Sequence, residues 1–200
     1  DSDNSYQVSD LKALFDIAIA GEHDLVIGAR EGRFYRGTPV KMVLRFLLRK
    51  LAEYMCARKV PDINSGIRVL RKTAFLPYLH MASNRFSFTT SLTLIAHQDL
   101  MSCVYSKVQY NKRRGRSHVK IWRDGVTAVG QILAISTSFN PLRVTFLFSN
   151  LSCLLLMIGM SLSILTSNIF FLLFSTSFTV ILLMILLGLF VHSFKDNVHK

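Results

Sequence analysis

Apolar positions follow three different rhythms along this chain, and each rhythm predicts a different kind of element. At the start the rhythm is helical: Leu11, Leu14, Phe15 and Ala18 follow a Ser9-Asp10 cap and stop at Gly21. Asp24 to Gly28 is a short apolar run closed by glycine, which suits a buried strand. Val40, Val43, Leu44, Leu47, Leu48, Leu51, Tyr54 and Met55 then lie along one side of a longer helix, while Lys41, Arg45, Arg49, Lys50, Glu53 and Arg58 face elsewhere. That division predicts a core-facing helix with a solvated basic side, or one whose basic side meets lipid head groups. Val60 to Leu70 opens as a polar turn and ends as a strand, Thr73 to Met81 suits a short helix, and Phe86 to Ala96 a further one. Cys103 to Tyr110 alternates as an exposed or edge strand. Helices and strands in alternation predict an α/β domain.

The third rhythm is the absence of one. Val144 to Leu165 is 22 residues without a charge, and Ile169 to Val191 is 23 more after the break Thr166-Ser167-Asn168. At about 1.5 Å per helical residue each piece spans about 33 Å, enough for a hydrocarbon core of roughly 30 Å. The pair predicts a transmembrane hairpin that returns the chain to its starting side. Arg143 precedes it and Lys195 and Lys200 follow it, which puts that side in the cytoplasm. Ile121 to Phe139, amphipathic and carrying Trp122 near its start, is expected to lie in the membrane interface, with Asn140-Pro141 as its break. The expected divisions are therefore 1–120 for a water-facing domain, 121–142 for the interfacial helix and linker, 143–194 for the hairpin and 195–200 for a cytoplasmic tail.

Charge sharpens this division. Of 24 Lys and Arg and 12 Asp and Glu, all but Arg143, Lys195, Lys200 and Asp196 precede the hairpin, leaving 21 cations against 11 anions there. A basic domain beside a bilayer most simply meets anionic head groups or phosphorylated substrates. Nucleic acid is not expected as a partner, since no aromatic-and-basic binding module accompanies the charge. Cys56, Cys103 and Cys153 are odd in number and lack metal-ligand spacing, so they read as reduced structural thiols. Gly159 and Gly188 are too sparse to argue how the helices pack, and a homo-oligomer stays open. The first residue is not methionine, and the chain opens directly on Asp1-Ser2-Asp3, which reads as a piece of something longer.

Asp1 and Asp3 are two carboxylates two residues apart, and such a pair at a strand end suits a divalent cation that bridges to a diphosphate. Oxygen ligands favour Mg2+ or Mn2+, whose charge would offset that building on a departing nucleotide. His23, His80 and His97 have no partner at ligand spacing and read as surface or packed side chains.

Taken in order, Asp1-Ser2-Asp3, a helix, Leu25-Val26-Ile27-Gly28-Ala29-Arg30, Asp62-Ile63-Asn64-Ser65-Gly66-Ile67-Arg68, Phe86 to Leu92, and Tyr110 with Arg113-Arg114-Gly115-Arg116-Ser117 resemble the family-two glycosyltransferases. The nearest resemblance is to membrane enzymes of the dolichyl-phosphate mannose synthase and polyprenyl-phosphate glycosyltransferase type. Phe139-Asn140-Pro141-Leu142-Arg143 ahead of a terminal hairpin is similar to that group as well. The resemblance implies a partial GT-A (Rossmann-like) α/β domain followed by the two-helix hairpin, with a nucleotide-sugar as donor and a polyprenyl phosphate as acceptor. It implies Asp1 and Asp3 as metal ligands and Asp62 as the acidic residue near the reacting sugar, with Arg68 either supporting the site or serving structure. Arg113, Arg116, Ser117 and His118 would gather phosphate charge, although a basic collar on anionic lipid is a second reading of that loop. His118 stands where the group usually has lysine, which makes the charge there pH-dependent. Ser5 stands where a glutamine is common. The group's N-terminal strands, which hold the base and ribose of the donor, do not appear in these 200 residues.

Three functions compete on this reading. The first is a metal-assisted, inverting membrane glycosyltransferase, expected to be inactive as an isolated fragment. The second is a processive polysaccharide synthase, disfavoured because Gln-x-x-Arg-Trp is absent and two terminal helices are few for a conduit. The third is a truncated, inactive relative that acts as a basic membrane-associated binding protein.

Overall fold

The structure, a computed structural model, describes residues 5–32, 39–82, 88–111 and 121–198. Contacts divide the chain into two units, Asp1–Ile135 and Ser136–Lys200. The first is a mixed α/β domain. Helix α1 (Val8–Ala20) leads into strand β1 (Leu25–Glu31), helix α2 (Pro39–Cys56) and strand β2 (Arg68–Leu70). A short helix α3 (Lys72–Phe75), a 3-10 turn (Leu76–Met81), helix α4 (Phe88–Gln98) and strand β3 (Cys103–Gln109) complete it, and α5 (Ile121–Phe139) runs out of it.

Among the described residues the strands form one sheet in the order β2-β1-β3. Strand β1 runs parallel to β3 over its whole length, from Leu25 opposite Cys103 to Glu31 opposite Gln109, and antiparallel to β2, with Ile27 opposite Arg68. A central strand has no solvent face, which is why Leu25, Val26 and Ile27 are consecutive, apolar and wholly buried. Helix α1 covers one face through Leu14, which packs with Val26, Ile67 and Val108, ringed by Tyr6, Ile17, Ala18 and Val69. Its cap lies earlier than Ser9-Asp10: the helix starts at Val8, and the Asp10 carboxylate accepts the Gln7 backbone N–H at 3.3 Å. Every residue of α4 from Thr90 to Gln98 is buried, and that burial overrides the strand preference of Thr90 and Thr93.

Helix α2 departs from the sequence expectation. Only Ala52, Met55 and Cys56, at its end, are buried, while Val40, Val43, Leu47 and Tyr54 of the apolar stripe are exposed. Leu44, Leu48 and Leu51 are half-buried, and so are Arg45 and Arg49 of the basic side. Arg45 and Arg49 line a cleft whose facing wall is Pro61 to Asn64, a segment with a buried carboxylate that accommodates guanidinium stems better than an apolar row would.

The second unit holds α6 (Pro141–Thr166) and α7 (Phe170–Val198), packed closely on each other. Pro141–Thr166 and Phe170–Val191 are each long and apolar enough to cross a membrane. The link between them is made by turn chemistry: Ser167 sits at φ 50°, and the Asn168 side chain accepts the Phe170 N–H at 2.9 Å. Gly159 marks the close approach, since a Cβ there would collide with Ser175 and come within 3.0 Å of the Phe171 carbonyl. Gly188 faces open space.

Gly28 is the backbone position on which the candidate site rests. A Cβ there would fall 2.6 Å from the Ile67 methyl and 3.0 Å from Val108, both held in the α1–sheet core. Gly28→Ala is therefore expected to cost about 1–3 kcal/mol, seen as a lowered midpoint in denaturant unfolding of the purified chain.

Candidate functional site

Strand pairing decides where the site forms. Strand β2 runs against β1, so the Asp62–Ile67 segment that precedes it comes alongside the C-terminal half of β1. Gly28 N–H donates to the Ile67 carbonyl at 3.1 Å, and the Ser65 hydroxyl donates to the Gly28 carbonyl. The C-terminal ends of parallel strands are where open α/β sheets hold ligands. Here that end carries Arg30 and Asp62.

Asp62 is 3% exposed. Its carboxylate accepts Nε and a terminal nitrogen of Arg30 at 2.7 and 2.8 Å, a parallel two-point pairing, plus the Arg30 backbone N–H at 3.2 Å and the Asn64 N–H at 3.1 Å. Arg30 is in turn poised over the Tyr110 ring at 5.6 Å. Together with α2 these residues bound a cleft of about 170 Å3, lined by Arg30, Arg45 and Arg49, by Asp62, and by the apolar Met42, Phe46 and Leu48. Three guanidinium groups face one carboxylate. The Nε–H of Arg49 is buried and has no acceptor among the described residues, while its guanidinium carbon lies 5.6 Å from the Phe46 ring. Such a lining is electropositive with one apolar wall. Its volume falls below the roughly 300–1,000 Å3 of ordinary small-molecule pockets, so it suits a phosphate and its first carbons better than a whole nucleotide-sugar.

Arg68, the first residue of β2, does different work. Its guanidinium donates to the Ser65 and Thr89 carbonyls and to Thr93 Oγ1 at 3.3 Å, while Thr90 Oγ1 donates to the Asn64 side chain. Burial pulls its pKa down to about 10, opposed by the nearby Asp62 carboxylate, so it stays cationic at neutral pH. It clamps the Asp62 segment to the start of α4 and acts as a positioning residue.

Of the other residues singled out in the sequence, Asp1 and Asp3 lie outside the described residues, as do Arg113, Arg116, Ser117 and His118. Trp122 falls in the first turn of α5, and its side chain is likewise outside them. Their described flanks nevertheless converge. Asn111 N–H, just before the basic loop, donates to the carbonyl of Ser5, just after the aspartate pair, at 3.0 Å. Tyr6 and Tyr110 meet edge to face at 5.5 Å, and the Tyr6 hydroxyl accepts the Gly66 N–H at 3.3 Å. Among the described residues, no group of three or more His, Cys, Asp or Glu side chains gathers as a metal site. His23 bonds Ser102 at 2.7 Å, and His97 is packed between α4 and β3.

Arg45 and Arg49, read in the sequence as part of a solvated or head-group-facing basic side, were not expected at the Asp62 cleft. Lys41, Arg45 and Arg49 recur every four residues and so form a basic row, but an unpartnered row is normally read as solvated. The comparisons with known proteins return nothing to set beside this geometry: no family model, no curated protein and no solved structure matches the chain.

Two measurable consequences follow from these contacts. Arg68→Lys loses the fork that spans two carbonyls, and at about 1.5–3 kcal/mol for a charged hydrogen bond the variant should unfold at visibly lower urea concentration. His97 is buried, with Nε2 2.8 Å from the Tyr105 hydroxyl and Nδ1 lacking a partner among the described residues, and burial first, then Arg58, lowers its pKa. The unfolded chain thus takes up this proton before the folded one does. The contribution of a neutral His97 is complete above about pH 6.5 and declines as pH falls from there toward the lowered folded value. Thermal midpoints between pH 7.5 and pH 5 should show that decline in the native chain and a flatter profile in His97→Gln.

Proposed function

We propose that this chain is part of a membrane-bound glycosyltransferase that moves a sugar from a nucleotide-sugar to a polyprenyl phosphate, with inversion and with metal assistance. The observation that carries the reading is the Arg30/Arg45/Arg49 cleft beside Asp62, with its cationic lining and one apolar wall. A polyprenyl phosphate has the same two characters, a dianionic head on a hydrocarbon tail. Two further features support the reading. The described flanks of the Asp1-Asp3 pair, of the Asp62 segment and of the 112–120 loop meet at one end of the sheet. The C-terminal helices are long and apolar enough to anchor the chain where such a lipid resides.

The chemistry needs little from a base. A phosphate oxygen of the acceptor is already an anionic nucleophile: it forms a bond to the anomeric carbon as the bond to the nucleoside diphosphate breaks. The arginines hold and orient the acceptor, and Asp62 keeps Arg30 in place to do so. A divalent cation, Mg2+ or Mn2+, would be held by Asp1 and Asp3 and would supply charge neutralisation on the leaving diphosphate. By charge distribution the domain lies on the cytoplasmic face, with Trp122 at the interface.

A binding protein without turnover is the second reading, favoured by one feature: the Asp62 carboxylate accepts four hydrogen bonds, three from Arg30 and one from Asn64, as in a structural latch. The two are separated by transfer of labelled sugar to polyprenyl phosphate in membranes bearing the chain together with the coding sequence upstream of Asp1. Arg49→Gln is expected to raise the KM for the lipid phosphate about tenfold, about 1.4 kcal/mol, and to leave the donor KM unchanged. Asp62→Asn should lower kcat by at least a similar factor, and EDTA should abolish transfer. Turnover equal to the native chain in both variants would remove the cleft from the reaction.

A further inference from the structure

Helix α6 carries two seams on opposite sides. Val144, Phe148 and Gly159 are buried, and Gly159 meets Ser175 of α7. On the other side Phe146, Asn150, Cys153, Met157, Met160 and Ile164 follow one another at alternating spacings of four and three, and each of them is exposed. That repeat is the one by which two helices wind around each other. Its second member is out of keeping with a surface that faces lipid. Asn150 lies seven residues beyond Arg143, which at about 1.5 Å per residue sets it about 10 Å along the span, inside a hydrocarbon layer of roughly 30 Å. A hydroxyl on such a surface can close on its own helix, as Ser161 does on the Met157 carbonyl and Ser177 on that of Leu173, at 2.9 and 2.8 Å. A carboxamide has one group too many. One N–H of Asn150 goes to the Phe146 carbonyl at 2.7 Å, but the side-chain oxygen accepts nothing from the described residues. The helix N–H groups around it are spent on backbone carbonyls.

We propose that this face of α6 pairs with the same face of a second copy of the chain, with Asn150 of each bonded to Asn150 of the other. This rests on the reading of Pro141–Thr166 and Phe170–Val191 as a membrane hairpin, and it names a partner that the reading leaves open. The unmet oxygen chooses the occupant. Acyl chains have no hydrogen-bond donor, and head groups do not reach that depth. Every copy of one chain enters the bilayer in the same orientation, so a second copy brings its own carboxamide to the same level. About a two-fold axis along the membrane normal, the remaining N–H of each side chain donates to the oxygen of the other, and both oxygens are met at once. A single asparagine in such a repeat also fixes the register, so Cys153 faces Cys153 of the second copy. The outward face of α7 carries no such demand, since Thr176 and Ser177 both close on the Leu173 carbonyl.

The test uses the whole chain, purified and reconstituted in phosphatidylcholine vesicles, with Cys56→Ser and Cys103→Ser so that Cys153 is the one thiol left. Oxidation with copper phenanthroline should then give mostly the disulfide dimer. Moving the thiol by Cys153→Ser with Ile158→Cys, a position exposed but off the repeat, should lower that yield severalfold. Asn150→Leu should lower it about three- to tenfold at the same ratio of protein to lipid, while Asn150→Gln, which keeps the carboxamide, should hold most of it. Energy transfer between copies fused after Lys200 to donor and acceptor fluorescent proteins reads the same pairing with the native cysteines in place, and it should fall in Asn150→Leu. Equal dimer yields from Cys153 and from Ile158→Cys, or energy transfer unchanged in Asn150→Leu, overturn the proposal. Capture of Cys153 on a different protein in cell membranes, with no dimer, also overturns it. Release of the chain from vesicles at high pH would sink the hairpin reading, whereas a chain that stays in the membrane and gives no dimer sinks this inference alone.

Discussion

The two-point ion pair between Arg30 and Asp62 fixes the geometry on which the remainder of the candidate site depends. It joins the C-terminal end of strand β1 to the segment leading into β2, at 2.7 and 2.8 Å, with the carboxylate almost wholly removed from solvent. A buried pair of this kind adds little net stability over an apolar substitute, because both charges must be stripped of water. Breaking it is costly, since one charge is then left buried alone. The pair is better understood as a register device: it determines where Asn64, Ser65 and Gly66 stand, and through them how Tyr6 and α4 approach the sheet end.

That constraint propagates to α2. Once the wall opposite its first turns carries a neutralised carboxylate and hydrogen-bonded backbone, the helix can present Arg45 and Arg49 to it without stranding a charge in apolar surroundings. Val40, Val43, Leu47 and Tyr54 of the apolar stripe then look outward. A single rotational setting thus yields both an electropositive cleft and an exposed greasy row beside it, and the two surfaces share Phe46 and Met42. A polar cleft and an exposed apolar row are compatible on one helix because its two sides are about half a turn apart.

Much of the architecture is legible in the residue pattern. The buried strand after Gly21, the helix from Pro39, the edge strand from Cys103 and the two apolar helices broken at Thr166 to Asn168 all fall within a few residues of their expected places, because each is set by a local rhythm or by turn residues. The helical character of Phe88–Gln98 was also readable, although its Thr and Phe content argues the other way. Asp62 and Arg68 stood out through a resemblance, and their segment does lie at the sheet end, but nothing in their spacing distinguishes a carboxylate in a cleft from a guanidinium that clamps backbone.

What the sequence determined by itself was the set of elements and the division between a basic α/β part and two apolar C-terminal helices. Those follow from periodicity, charge and length, which are properties of neighbours along the chain. Tertiary structure alone decided that Arg45 and Arg49 face Asp62, that Arg68 is spent on carbonyls, and that the stripe of α2 is open. Each depends on which side of an element meets which partner, and helical periodicity identifies a side without saying what lies against it.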